Sequence, residues 1–156
     1  MRWSEMREAG TYILLLAMPF DETICVGALG ERSFRAGYYL YVGSALNGLR
    51  GRIARHLRHT KRLHWHIDYF LQRARICEIW YHLGTERYEC AWARALAILP
   101  GIDAVALPFG ASDCACPTHL FRAQSPPMLE AVAPHLAHTS PIRRLGAKDL
   151  SRDIPS

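Results

Sequence analysis

The sequence predicts an α+β fold, an antiparallel sheet with helices packed on it. Three observations carry that expectation. Short apolar segments rich in β-branched and aromatic residues open the chain and are joined by short turns. Apolar residues then recur at helical spacing in three later segments. The two kinds of segment interleave without a long linker, and sequential strands on short connections pair antiparallel.

Residues 11–18 carry β-branched and long apolar side chains with no polar helix face, and read as a strand. Pro19-Phe20-Asp21 turns the chain. A second strand covers residues 23–29, with a turn at Gly30-Glu31-Arg32. A third, rich in tyrosine, covers 37–42 and is ended by Gly43. Asn47 is placed to cap a helix reaching about His59, with Leu49, Ile53 and Leu57 as its buried stripe. A helix over about 65–74 turns Ile67, Phe70, Leu71 and Ala74 to one side, and residues 76–83 form a strand. Thr85 caps a helix over about 86–98 that faces Ala91, Ala95 and Ile98 inward and stops at Pro100-Gly101. Residues 105–107 and 118–121 read as short strands around the loop Gly110-Ala111-Ser112-Asp113. Ser125-Pro126-Pro127 starts a short helix ending near Leu136. From Thr139 onward large apolar residues are few, and a mobile tail is expected.

The chain has 156 residues, half of them apolar and about a fifth charged. That is enough for one domain with a sizeable core. The longest apolar run is too short to span a bilayer, and the N-terminus lacks the pattern of a secretory signal. No membrane association and a cytoplasmic location are therefore expected. Five cysteines, an odd number without an export signal, argue against a disulfide framework. Cys25, Cys77 and Cys90 read as small buried hydrophobes.

The charge is concentrated. Arg50, Arg52, Arg55, Arg58, Lys61 and Arg62 fall between residues 50 and 62 with no acid among them, although the whole chain carries only +5. A basic helix in a nearly neutral background suggests a polyanion partner, nucleic acid in particular. Arg52 and His56 are four apart and share a helix face, beside the buried stripe. An arginine there can fork onto phosphate oxygens, and a histidine can orient water near neutral pH. Tyr12 and Tyr41 stand on two strands next to that helix. A phenol, with a pKa near ~10, needs a cation or metal before it can act as a base.

Gly10-Thr11-Tyr12, Tyr41-Val42-Gly43-Ser44-Ala45, Asn47-Gly48-Leu49-Arg50-Gly51-Arg52 and His56, in that order, resemble the GIY-YIG nuclease superfamily. With Phe109-Gly110-Ala111-Ser112-Asp113-Cys114 and His119, the pattern is similar to a little-characterised stand-alone branch sometimes joined to DNA-repair enzymes. The resemblance spans about residues 9–123, leaving 124–156 as a short helix and tail. It implies a central antiparallel sheet of about three strands flanked by helices. It also implies hydrolysis of phosphodiester bonds in DNA, with branched or damaged duplex as candidate substrates and one divalent cation, Mg²⁺ or Mn²⁺, as cofactor. Tyr12 and Tyr41 are then the paired tyrosines; one of them, or His56, activates the attacking water, and Arg52 holds the scissile phosphate. The metal-binding carboxylate the family requires is assigned to Glu89, with Glu86 as competitor. Arg50, Arg55, Arg58, Lys61 and Arg62 become DNA-binding candidates, and a repair protein a candidate partner. The gap between the tyrosine motifs is longer than a short hairpin, so the first hairpin is expected to be extended. Ser44 stands where repair-type members often carry lysine, and the family's late asparagine has no clear counterpart. Ser112, Asp113 and His119 are candidates to fill that space.

Two other readings remain open. One is a non-catalytic nucleic-acid-binding module on the same fold. The other is a zinc-stabilised interaction domain using Cys114, Cys116 and His119. A single residue between the two cysteines is poor spacing for zinc, so zinc is not favoured. The oligomeric state is not legible.

Overall fold

The computed structural model describes residues 2–111 and 115–152. In chain order the elements are α1 (Arg2–Glu5), β1 (Gly10–Met18), β2 (Glu22–Cys25), β3 (Glu31–Phe34), β4 (Gly37–Ala45), α2 (Leu49–Leu57) and α3 (His66–Phe70). They continue with β5 (Arg75–Leu83), α4 (Glu89–Ala97), β6 (Ile102–Ala104), β7 (Leu120–Ala123), α5 (Leu129–Val132), β8 (Arg143–Leu145) and α6 (Ala147–Arg152). The fold is α+β, as expected, but the sheet is larger than three strands. Six strands pair in the order β6-β7-β4-β1-β5-β8, every neighbour antiparallel.

Every residue of β1 is buried. A strand covered on both faces loses the usual alternation and reads as one apolar run. One face packs Tyr12, Leu14, Leu16 and Tyr41 against Leu49 and Ile53 of α2 and Ile67 and Phe70 of α3. The other packs Ile13, Leu15, Leu40 and Val42 against Trp92 and Leu96 of α4 and Leu129 and Val132 of α5.

Several local expectations shift. The residues between β1 and β4 do not extend the first hairpin; β2 and β3 form a separate two-stranded sheet. Residues 27–29 make a 3₁₀ turn, and Glu31 and Arg32 lie in a strand. Gly43 does not end its strand. It sits within β4, paired with Tyr12. Asn47 is exposed and caps nothing; the first amides of α2, at Leu49 and Arg50, donate instead to the carbonyls of Glu8 and Met6 at 3.0 and 2.6 Å. The folded N-terminus thus supplies what a local cap would have. Likewise α4 starts at Glu89, and the Tyr88 amide ahead of it donates to Thr11 Oγ1 at 3.2 Å, so Thr85 is not the cap. The inward face differs too. Trp92, Ala93 and Leu96 face the sheet, whereas Ile98 is 83% exposed. The predicted strand at 105–107 lies earlier, at β6, and the one at 118–121 begins two residues later, at β7.

The expected tail is ordered through Arg152. β8 pairs with the edge of β5, placing Leu145 opposite Ile79, and Leu145 and Leu150 are buried in the core. Backbone pairing at an open sheet edge needs few large side chains, which is why sparse apolar content misled there. Cys25 is exposed, and Cys77 and Cys90 are only half-buried, so they are not core residues. Among the described residues no helix is long and apolar enough to cross a membrane.

Candidate active site

The sheet leaves an opening beside the end of β4. β7 pairs with β4 only from Tyr38 to Tyr41, so the following residues of β4 have no strand on that side. The loop before β7 closes part of the gap through the Val42 amide, which donates to the His119 carbonyl at 3.0 Å. The remainder is a cleft of about 540 Å³ lined by Tyr41, Ser44, Arg52, Trp65, Glu89 and His119 among others.

The strand register explains the two tyrosine motifs. Tyr12 is directly opposite Gly43, so its ring crosses the glycine Cα. A Cβ at residue 43 would stand 2.6 Å from the phenol oxygen, and only glycine leaves that space. Across the glycine, the Tyr12 hydroxyl reaches His56 Nε2 at 2.7 Å. Both residues are buried, Tyr12 at 1% exposed and His56 at 3%. Burial, with Lys61 and Arg52 adding to it, lowers the His56 pKa to about 3, so the ring is neutral. Burial raises the Tyr12 phenol to about 12 against the pull of Arg52. Tyr41 is also raised well above its ordinary value by burial and by Tyr12. Of these three groups, Tyr41 is the one that lines the cleft, its ring edge-on to His56 and Phe109. Gly110, at φ +69°, brings the loop against Tyr41, where a Cβ would meet the ring at 2.9 Å. The Gly110 amide donates to His66 Nδ1 at 3.0 Å, which holds the loop there.

Arg52 leaves α2 toward the cleft. It donates to the Ser44 carbonyl at 2.9 Å and lies 4.4 Å over the Trp65 ring. Arg55 stacks on the same indole at 4.2 Å and forks onto Asp68 at 2.6 and 2.9 Å. Burial opposes ionisation of Asp68, but bonds from Arg55, Trp65 and His64 hold its carboxyl below the ordinary value. Lys61 donates to the carbonyls of Arg55 and His56 at 2.9 and 3.0 Å, closing the C-terminal turn of α2. Arg55 and Lys61 are thus tied into the scaffold. Arg58 and Arg62 are exposed, and Arg50 is half-buried, lining a second basic cavity with Arg7 and Arg58 on the other flank of α2.

Glu89, in the first turn of α4, enters the cleft from the opposite sheet face. Its Oε1 accepts from Ser44 Oγ at 2.9 Å and lies 3.7 Å from Arg87 Nε. Its Oε2 is 4.0 Å from His119 Nδ1. Glu86 is exposed and accepts from the Tyr88 hydroxyl at 2.7 Å, away from the cleft lining. Tyr41, Arg52, Glu89, Ser44 and His119 therefore meet at one cleft, with Tyr12 and His56 behind Tyr41. Ser112, Asp113 and Cys114 lie outside the described residues.

Sequence reasoning passed over Trp65, Arg87 and Cys90 as site components and left His66 open between binding DNA and packing. Only Arg87 and Cys90 carried a usable signal, their adjacency to Glu89. The stacking of two arginines on Trp65 depends on how the loop after α2 returns.

No curated protein and no solved structure matches the chain at a significant level. The family model described as Domain of unknown function DUF123 matches residues 11–141. That match takes in every cleft residue and most of the chain, which therefore belongs to the DUF123 family.

Proposed function

We propose that this protein is a metal-dependent endonuclease of the GIY-YIG type that hydrolyses phosphodiester bonds in DNA. The supporting observation is the convergence of Tyr41, Arg52 and Glu89 on one cleft, with the hydrogen-bonded Tyr12–His56 pair directly behind. Arg52 is held by the Trp65 face and the Ser44 carbonyl, and its remaining N–H donors suit a phosphate. Tyr41 orients the attacking water. Its raised pKa means it becomes a base only beside added positive charge. Neutral His56 holds the Tyr12 hydroxyl, and through it the packing behind Tyr41. Glu89 offers a single carboxylate, which fits Mg²⁺ or Mn²⁺ retaining several waters. Such an ion supplies Lewis-acid stabilisation of the leaving oxygen when bound.

A second reading has one specific observation in its favour. Ser44 Oγ donates to a Glu89 oxygen, which occupies part of the carboxylate a metal would need. On that reading the protein binds nucleic acid without cutting it.

The test incubates the protein with plasmid, flap and branched-junction DNA in Mg²⁺ or Mn²⁺. Cutting is expected, falling at least ~100-fold in Arg52→Ala and Glu89→Gln. Equal cutting by both variants rejects the assigned site. Salt-sensitive binding without cutting by wild type selects the second reading.

A further inference from the structure

We propose that Cys90, Cys116 and His119 form a metal site for a thiophilic cation, Zn²⁺ in the cell. The proposal does not depend on nuclease activity. One ligand atom from each residue lies within 4.8 Å of the other two. In a tetrahedral site with Zn–S bonds of ~2.3 Å, neighbouring sulfurs stand roughly 3.8 Å apart, so about an ångström of contraction closes the set. The ligands come from two parts of the chain: Cys90 from the first turn of α4, and Cys116 and His119 from the connection between β6 and β7. No sequence spacing joins Cys90 to the other two.

The frame around them is fixed. The His119 amide donates to the Phe109 carbonyl at 2.9 Å, and its carbonyl accepts from Val42. Cys90 is carried on the helix that Trp92 anchors in the core. Two thiolates and an imidazole select Zn²⁺ or Co²⁺ over Mg²⁺ and Mn²⁺, whereas the carboxylate of Glu89 has the opposite preference. Cys90 and His119 line the cleft, so the fourth coordination place is on the cleft side, near Glu89. Zinc sites with three protein ligands keep such a place open. The bound ion would tie the loop bearing Gly110 and His119 to the helix bearing Glu89, joining two walls of the cleft.

The test titrates the reduced, chelator-stripped full chain with Co²⁺ as a spectroscopic probe and then displaces it with Zn²⁺. Stoichiometric binding with thiolate-to-cobalt charge transfer is expected, and Zn²⁺ should raise the melting temperature. Cys90→Ser and Cys116→Ser should each weaken binding at least ~10-fold and reduce the charge-transfer band. Cys25→Ser should do neither. Absence of stoichiometric binding by wild type, or an unchanged spectrum in folded Cys90→Ser, overturns the proposal. If the serine variants do not fold, the wild-type cobalt spectrum still decides, since without thiolate ligation the band is missing. Glu89→Gln separates the two proposals: it should keep the cobalt spectrum while losing Mg²⁺-supported cutting.

Discussion

At the scale of single residues, the molecule turns on a buried imidazole. His56 has one ring nitrogen on the Tyr12 hydroxyl, and its Nδ1 meets no hydrogen-bond partner among the described residues. Charging the ring in that place is costly. The unfolded chain protonates it near the ordinary 6.5, the folded chain only near about 3. Below pH 6.5 the unfolded state therefore binds more protons, and stability falls as the pH falls, until the folded pKa is passed. The slope from this one group is ~1.4 kcal/mol per pH unit. Urea denaturation of wild type from about pH 7 to about pH 5 should show it. His56→Gln keeps an acceptor for Tyr12 but cannot titrate, and its profile should be flatter by one proton's share. His66 and His82, also lowered by burial, leave a residual slope in both proteins.

At the scale of elements, α2 does two jobs with opposite flanks of the same helix. Leu49, Ile53 and His56 face the sheet. Arg52 and Arg55 form a flank that clamps Trp65, and Asp68 ties that flank to α3. Asp68 is fully buried, and Arg55 is its cationic partner. Arg55→Ala should therefore cost about 3 kcal/mol of stability, with little dependence on salt, because it leaves a buried carboxylate without its counter-charge. Arg58→Ala, on the exposed side, should change stability by less than about 0.5 kcal/mol. The contrast is read from urea midpoints. Equal, salt-sensitive losses would place Arg55 among the exposed cations instead. The basic run was visible in the sequence as charge, but its division into scaffold and surface was not. That division depends on Asp68, thirteen residues beyond Arg55.

At the scale of the whole molecule, the C-terminal segment completes the sheet. A chain ending at Pro141 loses β8 and α6, uncovers the edge of β5, and vacates the places of Leu145 and Leu150. Each leucine lost from a core costs ~2–5 kcal/mol, so the truncated chain should be at least about 4 kcal/mol less stable. It should also self-associate through the bared edge strand, which sizing chromatography would detect. A fully stable monomer would show that the segment is dispensable.

The motif resemblance named Tyr41, Ser44, Arg52, Glu89 and His119 among the residues that meet at the cleft; the sequence by itself determined the α+β class and the positions of β1, β4, α2 and β5. Those features depend on local periodicity and on apolar runs, which survive without knowledge of the neighbours. The tertiary structure decided what local patterns cannot carry. Gly43 is an interior glycine because Tyr12 crosses it from the next strand. The helices α2 and α4 start where distant carbonyls and Thr11 receive their first amides, not at Asn47 and Thr85. Cys90 joins Cys116 and His119 only because α4 folds beside the loop before β7. Hydrogen bonds and ligand sets are satisfied by whatever the fold brings near, and nearness in space is not written in spacing along the chain.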